Sequence, residues 1–127
     1  MTHLDTHVVV WLAGGTGERL SSLARDLIEV EQLEISPAVE VELAFLAEIG
    51  RITTGPATLL SELHRALGLT VATSTFGAAA SLAATSRYAF TRDPFDRLIA
   101  AHADAVGAQL ITKDRVLRQN LDFAVWD

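Results

Sequence analysis

The sequence contains no cysteine and no long apolar run. A disulfide scaffold, a thiolate zinc site, an iron–sulfur cluster and a cysteine nucleophile are therefore excluded. The apolar stretch Val8–Leu12 is far shorter than the roughly 20 residues that a membrane span needs. The first five residues also lack the basic start of a signal peptide. These absences predict a soluble, cytoplasmic protein with no membrane partner.

Prolines are few, and no segment has the composition of a linker, so we expect one domain over residues 1–127. Half of the residues are hydrophobic and 20% are charged, which excludes a disordered chain. The net charge of −6 argues against a nucleic-acid partner, but it is unevenly distributed. Residues 1–64 carry ten acids and three bases, whereas residues 65–127 carry six acids and seven bases. The C-terminal half can therefore still face an anion.

Short apolar runs alternate with segments of helical spacing along the whole chain. Strands are predicted at 2–4, 33–36, 69–72, 109–112 and 123–126, with 8–11 as a continuation of the first. Helices are predicted at 20–32, 36–49, 58–67, 74–85, 93–106 and 114–118. Strands separated by helices imply an α/β fold, with a parallel sheet covered by helices on both faces. In such a sheet the functional crevice lies at the carboxyl ends of the strands.

Four acids can meet at that edge of the sheet. Asp5 follows the first predicted strand, and Asp114 follows the strand at 109–112. Asp96 lies in the first turn of the helix that Asp93 and the following proline begin, where it could equally serve the helix cap and dipole. Glu42 lies in the second turn of the helix that follows the second strand.

Glu42 is the most informative of the four acids. Helical spacing places it on the apolar face that Ala38, Phe45 and Ile49 define. A lone buried carboxylate is costly unless it is paired or binds a metal. A tilt of the helix that exposes Glu42, or an arginine partner, would explain its position equally well.

Clustered carboxylates repel one another and raise each other's pKa unless a cation lies among them. An oxygen-only cluster suits Mg²⁺, with Mn²⁺ as the alternative. Such ions can activate water and neutralise charge on a phosphodiester. The candidate metal ligands and catalytic residues are Asp5, Glu42, Asp96 and Asp114.

Five ordered segments resemble the PIN-domain ribonucleases, specifically the toxins of VapBC-type toxin–antitoxin pairs. These segments are residues 4–7, 35–44, 50–52, 92–103 and 110–114. The resemblance implies a three-layer α/β/α PIN-like fold with a mostly parallel central sheet. It also implies a Mg²⁺-dependent endoribonuclease that uses water as the nucleophile and leaves a 5′-phosphate. The family's acidic positions match Asp5, Glu42 and Asp96, with Asp114 as the fourth acid, while Thr112 and Asp93 match auxiliary positions. Pro37 and the pair Glu40-Val41 depart from the pattern of many relatives.

The resemblance implies three partners: an RNA substrate, with tRNA as one candidate, a cognate VapB-like antitoxin, and a second copy of the toxin in a homodimer. Arg97, Arg115 and Arg118 are the first candidates for RNA contact, because they lie near the acidic edge. The alternative reading is a catalytically inactive PIN-like module that binds RNA or an antitoxin.

The sequence does not favour two other functions, a sugar nucleotidyltransferase and a base-stacking protein. Residues 13–20 resemble the glycine-rich phosphate loop of sugar nucleotidyltransferases, but those enzymes need a chain about twice as long, so we interpret the glycines as a flexible connection. No alternation of aromatic and basic residues indicates a base-stacking platform, and Trp11, Trp126 and Phe45 are expected in the core or an interface.

Overall fold

The computed structural model describes all 127 residues. Its strands are β1 (Thr2–Leu4), β2 (Leu33–Ile35), β3 (Thr70–Val71), β4 (Gln109–Ile111) and β5 (Ala124–Val125). Its helices are α1 (Thr6–Ala13), α2 (Ser22–Val30), α3 (Pro37–Glu48), α4 (Pro56–Leu67), α5 (Phe76–Ala83), α6 (Pro94–Val106) and α7 (Arg115–Asn120). No helix combines the length and apolar character needed to cross a membrane.

The five strands form one sheet in the order β3-β2-β1-β4-β5, and every neighbouring pair is parallel. The predicted α/β fold with a parallel central sheet is confirmed. From β1 the chain moves to β2 on one side, whereas from β4 it moves to β5 on the other. Right-handed crossovers that run in opposite directions place their helices on opposite faces of the sheet. A crevice therefore opens between the carboxyl ends of β1 and β4.

One cluster of 27 buried hydrophobic residues holds the layers together. Leu4 and Ile111 are fully buried on the two strands that flank the crevice. Helix α6 contributes the fully buried alanines Ala100, Ala101 and Ala103. Small side chains in the middle of α6 let the neighbouring layers approach closely.

The expected continuation of the first strand through Val8–Trp11 is wrong, because these residues belong to α1. Valine and tryptophan favour strands by local preference. The Asp5 side chain accepts a hydrogen bond from the Thr6 N–H and so begins a helix directly after β1. Val8 and Val9 are then completely buried, and this packing outweighs the local preference.

Four predicted helices have bounds that differ by two or more residues in the structure, among them α7, which extends to Asn120 rather than ending at residue 118. Helix α2 begins at Ser22 rather than residue 20, because Ser21 accepts a hydrogen bond from the Ala24 N–H and acts as the N-cap. Helix α4 begins two residues earlier than predicted, at Pro56, where proline suits the first turn. Helix α5 covers only Phe76–Ala83 of the predicted 74–85.

Two glycines allow a test of the helix ends. Gly107 ends α6 with φ +72°, whereas Gly77 lies inside α5 with ordinary helical geometry, and no atom would crowd an added Cβ at either position. We expect Gly107→Ala to lower the free energy of unfolding by about 1 kcal/mol, because left-handed backbone strains alanine. Gly77→Ala should raise it by about 0.5 kcal/mol, because alanine favours a helix. Urea unfolding of both variants measures these changes, and equal signs would contradict this account.

Candidate active site

Two of the four candidate acids and the auxiliary residue Asp93 are helix caps at the crevice. Asp5 Oδ1 accepts the Thr6 N–H at 2.8 Å, and Asp114 Oδ1 accepts the Leu117 N–H at 3.0 Å. Asp93 Oδ1 accepts the N–H groups of Phe95 and Asp96. Each helix N-terminus carries partial positive charge, which favours a carboxylate at that position. Each of these carboxylates therefore lies where a helix begins, and its hydrogen bonds to the helix N-terminus fix its orientation.

A buried threonine joins the ends of β1 and β4. The Thr112 hydroxyl donates to Asp5 Oδ2 at 2.7 Å and accepts the Asp114 N–H at 3.0 Å. Thr112 is fully buried and Asp5 is 3% exposed. Both Asp5 oxygens thus have partners, and Thr112 orients this carboxylate relative to the Asp114 backbone.

The prediction that Phe45 and Ile49 share a buried face of α3 with Glu42 is wrong. Phe45 and Ile49 are 48% and 51% exposed, whereas the buried residues of α3 are Ala38, Val39 and Leu43. A small, largely aliphatic helix has an apolar residue on nearly every side, so helical spacing alone does not identify its buried face.

Glu42 is nevertheless held at the crevice, at the margin of the buried face of α3. Its Oε1 accepts a hydrogen bond from the Thr6 hydroxyl, which lies directly after Asp5. Burial raises the pKa of the Glu42 carboxyl, the Thr6 hydrogen bond opposes that rise, and Asp5 and Asp93 add to it. Thr6 is a site residue that sequence reasoning did not identify, although the segment Leu4–His7 contained it.

Asp96 lies at the electrostatic centre of the acids. Burial, followed by the charges of Asp5, Asp93, Asp114 and Glu42 in that order, raises the pKa of its carboxyl from 3.8 to about 7. An aspartate feels such repulsion only where other carboxylates are close and poorly screened. This pKa is the strongest indication that the predicted acids share one field.

His7 connects Asp5 to the loop after β4. Its Nε2 accepts the Lys113 N–H at 2.9 Å, so the neutral ring carries its hydrogen on Nδ1, which faces Asp5 Oδ2 at 3.7 Å. Burial lowers the pKa of this imidazole and keeps the ring neutral. His7 thus acts as a hydrogen-bonding residue of the site.

The three predicted arginines differ in their surroundings. Arg115 is exposed at the start of α7. Arg97 donates through Nε to the Thr91 carbonyl at 2.6 Å, and Arg118 donates to the Lys113 carbonyl at 3.1 Å. Two of the three therefore hold loops beside the acids, and Arg115 has the most freedom to meet a ligand.

Comparisons with known proteins show the family of this chain. The chain matches the PIN domain family over residues 3–120. It belongs to the PIN-domain family. The PIN domain is 38% identical to "Ribonuclease VapC22" of Mycobacterium tuberculosis (strain ATCC 25618 / H37Rv) over 123 residues, which cover 92% of this chain and 89% of that protein.

The same PIN fold is found in the "Crystal structure of VapBC2 from Rickettsia felis bound to a DNA fragment from their promoter". The TM-score is 0.70 at 18% identity, with 99% of this chain and 98% of that chain covered. The expected likeness to VapC-type PIN proteins is thus confirmed.

The carboxylate oxygens of the PIN domain suit a cation that prefers oxygen ligands. They do not, however, form a closed coordination shell. No three of its acid or histidine side chains are grouped closely enough to hold a metal ion. Mg²⁺ commonly uses one or two carboxylates and retains several waters, so an open arrangement is compatible with it. The raised pKa of Asp96 gives further support, because an added cation would relieve the carboxylate repulsion that adds to the effect of burial.

The pKa of Asp96 makes metal-free stability depend on pH. The folded state binds this proton up to about pH 7, whereas the unfolded carboxyl releases it near 3.8. The contribution of Asp96 to the free energy of unfolding should therefore fall as pH rises from about 4 to about 7 and then level off, whereas His3, whose pKa burial lowers to about 4, contributes in the opposite direction up to about pH 6.5. Because the carboxyl is partly exposed, the loss attributable to Asp96 is on the order of 2 kcal/mol.

Urea unfolding in EDTA measures this dependence across that pH range. The unsubstituted protein should lose stability relative to Asp96→Asn as pH rises through that range, so Asp96→Asn should be the more stable of the two at pH 8. Asp122→Asn, at an exposed acid near the C-terminus, should follow the unsubstituted protein at every pH. Parallel stability curves for Asp96→Asn and the unsubstituted protein would show that Asp96 is not repelled by the other acids.

Proposed function

We propose that this PIN domain is a Mg²⁺- or Mn²⁺-dependent endoribonuclease, the toxin of a type II toxin–antitoxin system that a cognate VapB-like antitoxin inhibits. The observation that carries the proposal is the shared field of Asp5, Glu42, Asp96 and Asp114 at the crevice between β1 and β4. The 38% identity to "Ribonuclease VapC22" supports RNA as the substrate.

The side chains at the crevice favour water as the nucleophile. The chain has no cysteine, and the hydroxyls of Thr6 and Thr112 already donate to Glu42 and Asp5. Thr6 is 4% exposed and Thr112 is fully buried, so neither hydroxyl can reach a phosphodiester bound in the crevice. Hydrolysis by water accounts for an acidic site that lacks a side-chain nucleophile.

Asp5, Glu42, Asp96 and Asp114 are the residues proposed to hold the cation. When bound, a divalent cation supplies a lowered pKa for attacking water and neutralises charge that develops on the phosphodiester. Thr112 keeps the Asp5 carboxylate oriented, and Thr6 does the same for Glu42. Without a cation, the Asp96 carboxyl retains its proton near neutral pH. Arg115 and Arg118 place positive charge beside the acids, where RNA phosphates would lie.

An apolar stripe on α3 supports a protein partner. Val41, Phe45 and Ile49 follow one another at intervals of four residues and are 58%, 48% and 51% exposed. Contiguous exposed apolar side chains typically mark an interaction surface. The stripe is compatible with the proposed antitoxin and with a toxin homodimer.

A catalytically inactive module that binds RNA or an antitoxin is the second candidate. The lack of three ligands grouped closely enough to hold a metal favours it. The two candidates differ in one outcome, because only the enzyme produces new RNA ends that depend on the acids.

The direct test is mapping of 5′-monophosphate ends in cellular RNA after brief expression of the protein. We expect discrete new ends, reduced at least about 100-fold by Glu42→Gln or Asp96→Asn, since loss even of an outer partner of a metal site costs 10- to 100-fold. Glu48→Gln, at an exposed acid on the same helix as Glu42, should leave the ends unchanged. Undiminished ends in both site variants would contradict the enzyme, and no ends from any folded variant would favour the module.

A further inference from the structure

An aromatic surface lies beside the acidic crevice although no sequence pattern indicated one. Trp11 is partly buried on α1, and two cations lie over its ring. The Arg19 guanidinium carbon is 5.7 Å from the ring centroid, and Lys113 Nζ is 5.9 Å from it. Both cationic residues are exposed, so we call Trp11, Arg19 and Lys113 the tryptophan platform.

The platform is continuous with the candidate active site through one imidazole. The His7 ring lies 5.0 Å from the Trp11 ring, centroid to centroid, and its Nδ1 lies 3.7 Å from Asp5 Oδ2. The same His7 accepts the Lys113 N–H, and Lys113 directly precedes Asp114. A strand bound at the acids would therefore reach the tryptophan platform with a neighbouring nucleotide.

The Trp11 indole packs against a second, buried indole. Trp126 is 8% exposed and its ring lies 6.0 Å from that of Trp11, tilted by 58°. The Trp126 carbonyl in turn accepts a hydrogen bond from the Ser21 hydroxyl. A ring held in this way loses little conformational freedom when a flat ligand stacks on it.

The glycine-rich segment brings Arg19 to the platform. Both the N–H and the hydroxyl of Thr16 donate to the Trp11 carbonyl, at 3.0 and 3.1 Å. Gly15 adopts φ +69°, which lets the chain reverse directly after α1. The short helical turn Gly17–Arg19 then places the Arg19 guanidinium over the Trp11 indole. This segment thus acquires a structural role that does not involve a nucleotide-sugar pocket.

We propose that Trp11 is a nucleobase-stacking subsite for single-stranded RNA, with Arg19 and Lys113 binding the phosphates on either side of the stacked base. Proteins that bind single strands combine aromatic faces with a positively charged path in this way. Every base has a π-face, so stacking orients the strand without selecting a sequence. The subsite rests on the proposed RNA substrate but not on hydrolysis.

Tryptophan fluorescence tests the subsite directly, because the chain has only Trp11 and Trp126. Trp126→Phe leaves Trp11 as the sole emitter, and Trp11→Phe leaves Trp126. The probes are oligoadenylate and an abasic ribose-phosphate chain of equal length, in EDTA so that neither is hydrolysed. We expect oligoadenylate to quench Trp126→Phe strongly and Trp11→Phe little, and the abasic chain to quench neither. Equal quenching by both probes, or equal quenching of both variants, would overturn the subsite.

The binding affinities of variants for the two probes separate the contribution of base stacking from that of charge. Trp11→Leu keeps apolar volume and should weaken oligoadenylate binding about 5- to 150-fold while leaving abasic binding unchanged. Arg19→Gln, at an exposed position that should not disturb folding, should weaken the binding of both probes. It should also reduce the slope of log K against log salt concentration by about one unit. Equal loss of both probes in Trp11→Leu, or no effect of Arg19→Gln on either probe, would contradict the proposal.

The same samples distinguish failure of the subsite from failure of the proposed function. RNA cleavage that depends on Asp96, without selective quenching of Trp11, overturns the subsite alone. Selective quenching without cleavage supports the subsite and contradicts the nuclease. A change in Trp11 emission that follows only protein concentration would place the ring between two copies of the chain, and the subsite would be wrong.

Discussion

Repulsion among carboxylates at the end of the central sheet is the constraint on which the rest of this structure depends. Burial, together with the charges of four other acids, raises the pKa of Asp96 to about 7. A fold that gathers such charges without a partner loses stability. The compensations visible here are helix caps, the hydroxyls of Thr6 and Thr112, and the neutral ring of His7.

The topology explains why the charges meet at this point. Adjacent parallel strands β1 and β4 lead the chain in opposite directions, so their carboxyl ends border a crevice that no crossover covers. Each strand is followed by an aspartate that caps the next helix, Asp5 for α1 and Asp114 for α7. Each of these two aspartates thus begins a helix and also contributes a carboxylate to the crevice.

Much of this arrangement could be predicted from local sequence. The parallel α/β fold follows from alternating apolar runs and helical segments, and Asp5 and Asp114 follow from their positions after strands. The buried face of α3 could not be predicted, because Phe45 and Ile49 fit an apolar stripe as well as Val39 and Leu43 do, and only tertiary packing decides between them. Helix α1 was missed because its valines favour a strand until the Asp5 cap and the core are both considered.

The particular side-chain contacts between distant segments could not be predicted from the sequence. Thr6 meets Glu42 across 36 positions, and Lys113 meets the Trp11 ring although about a hundred residues separate them. Neither pair leaves a periodic or spaced pattern in the sequence, because each depends on the order of strands in the sheet. The aromatic and basic residues that a single-strand binding surface requires were present but dispersed.

Calorimetric titration with Mn²⁺ tests the central claim most directly, namely that the acids form one site that a cation relieves. We expect saturable binding that releases protons at pH 6, where Asp96 is still protonated, and releases almost none at pH 9. Repeating the titration in buffers of different ionisation enthalpy counts those protons. Binding should be lost in Asp96→Asn and retained in Asp122→Asn. No saturable heat in the folded protein, or equal heat in Asp96→Asn, would contradict the account.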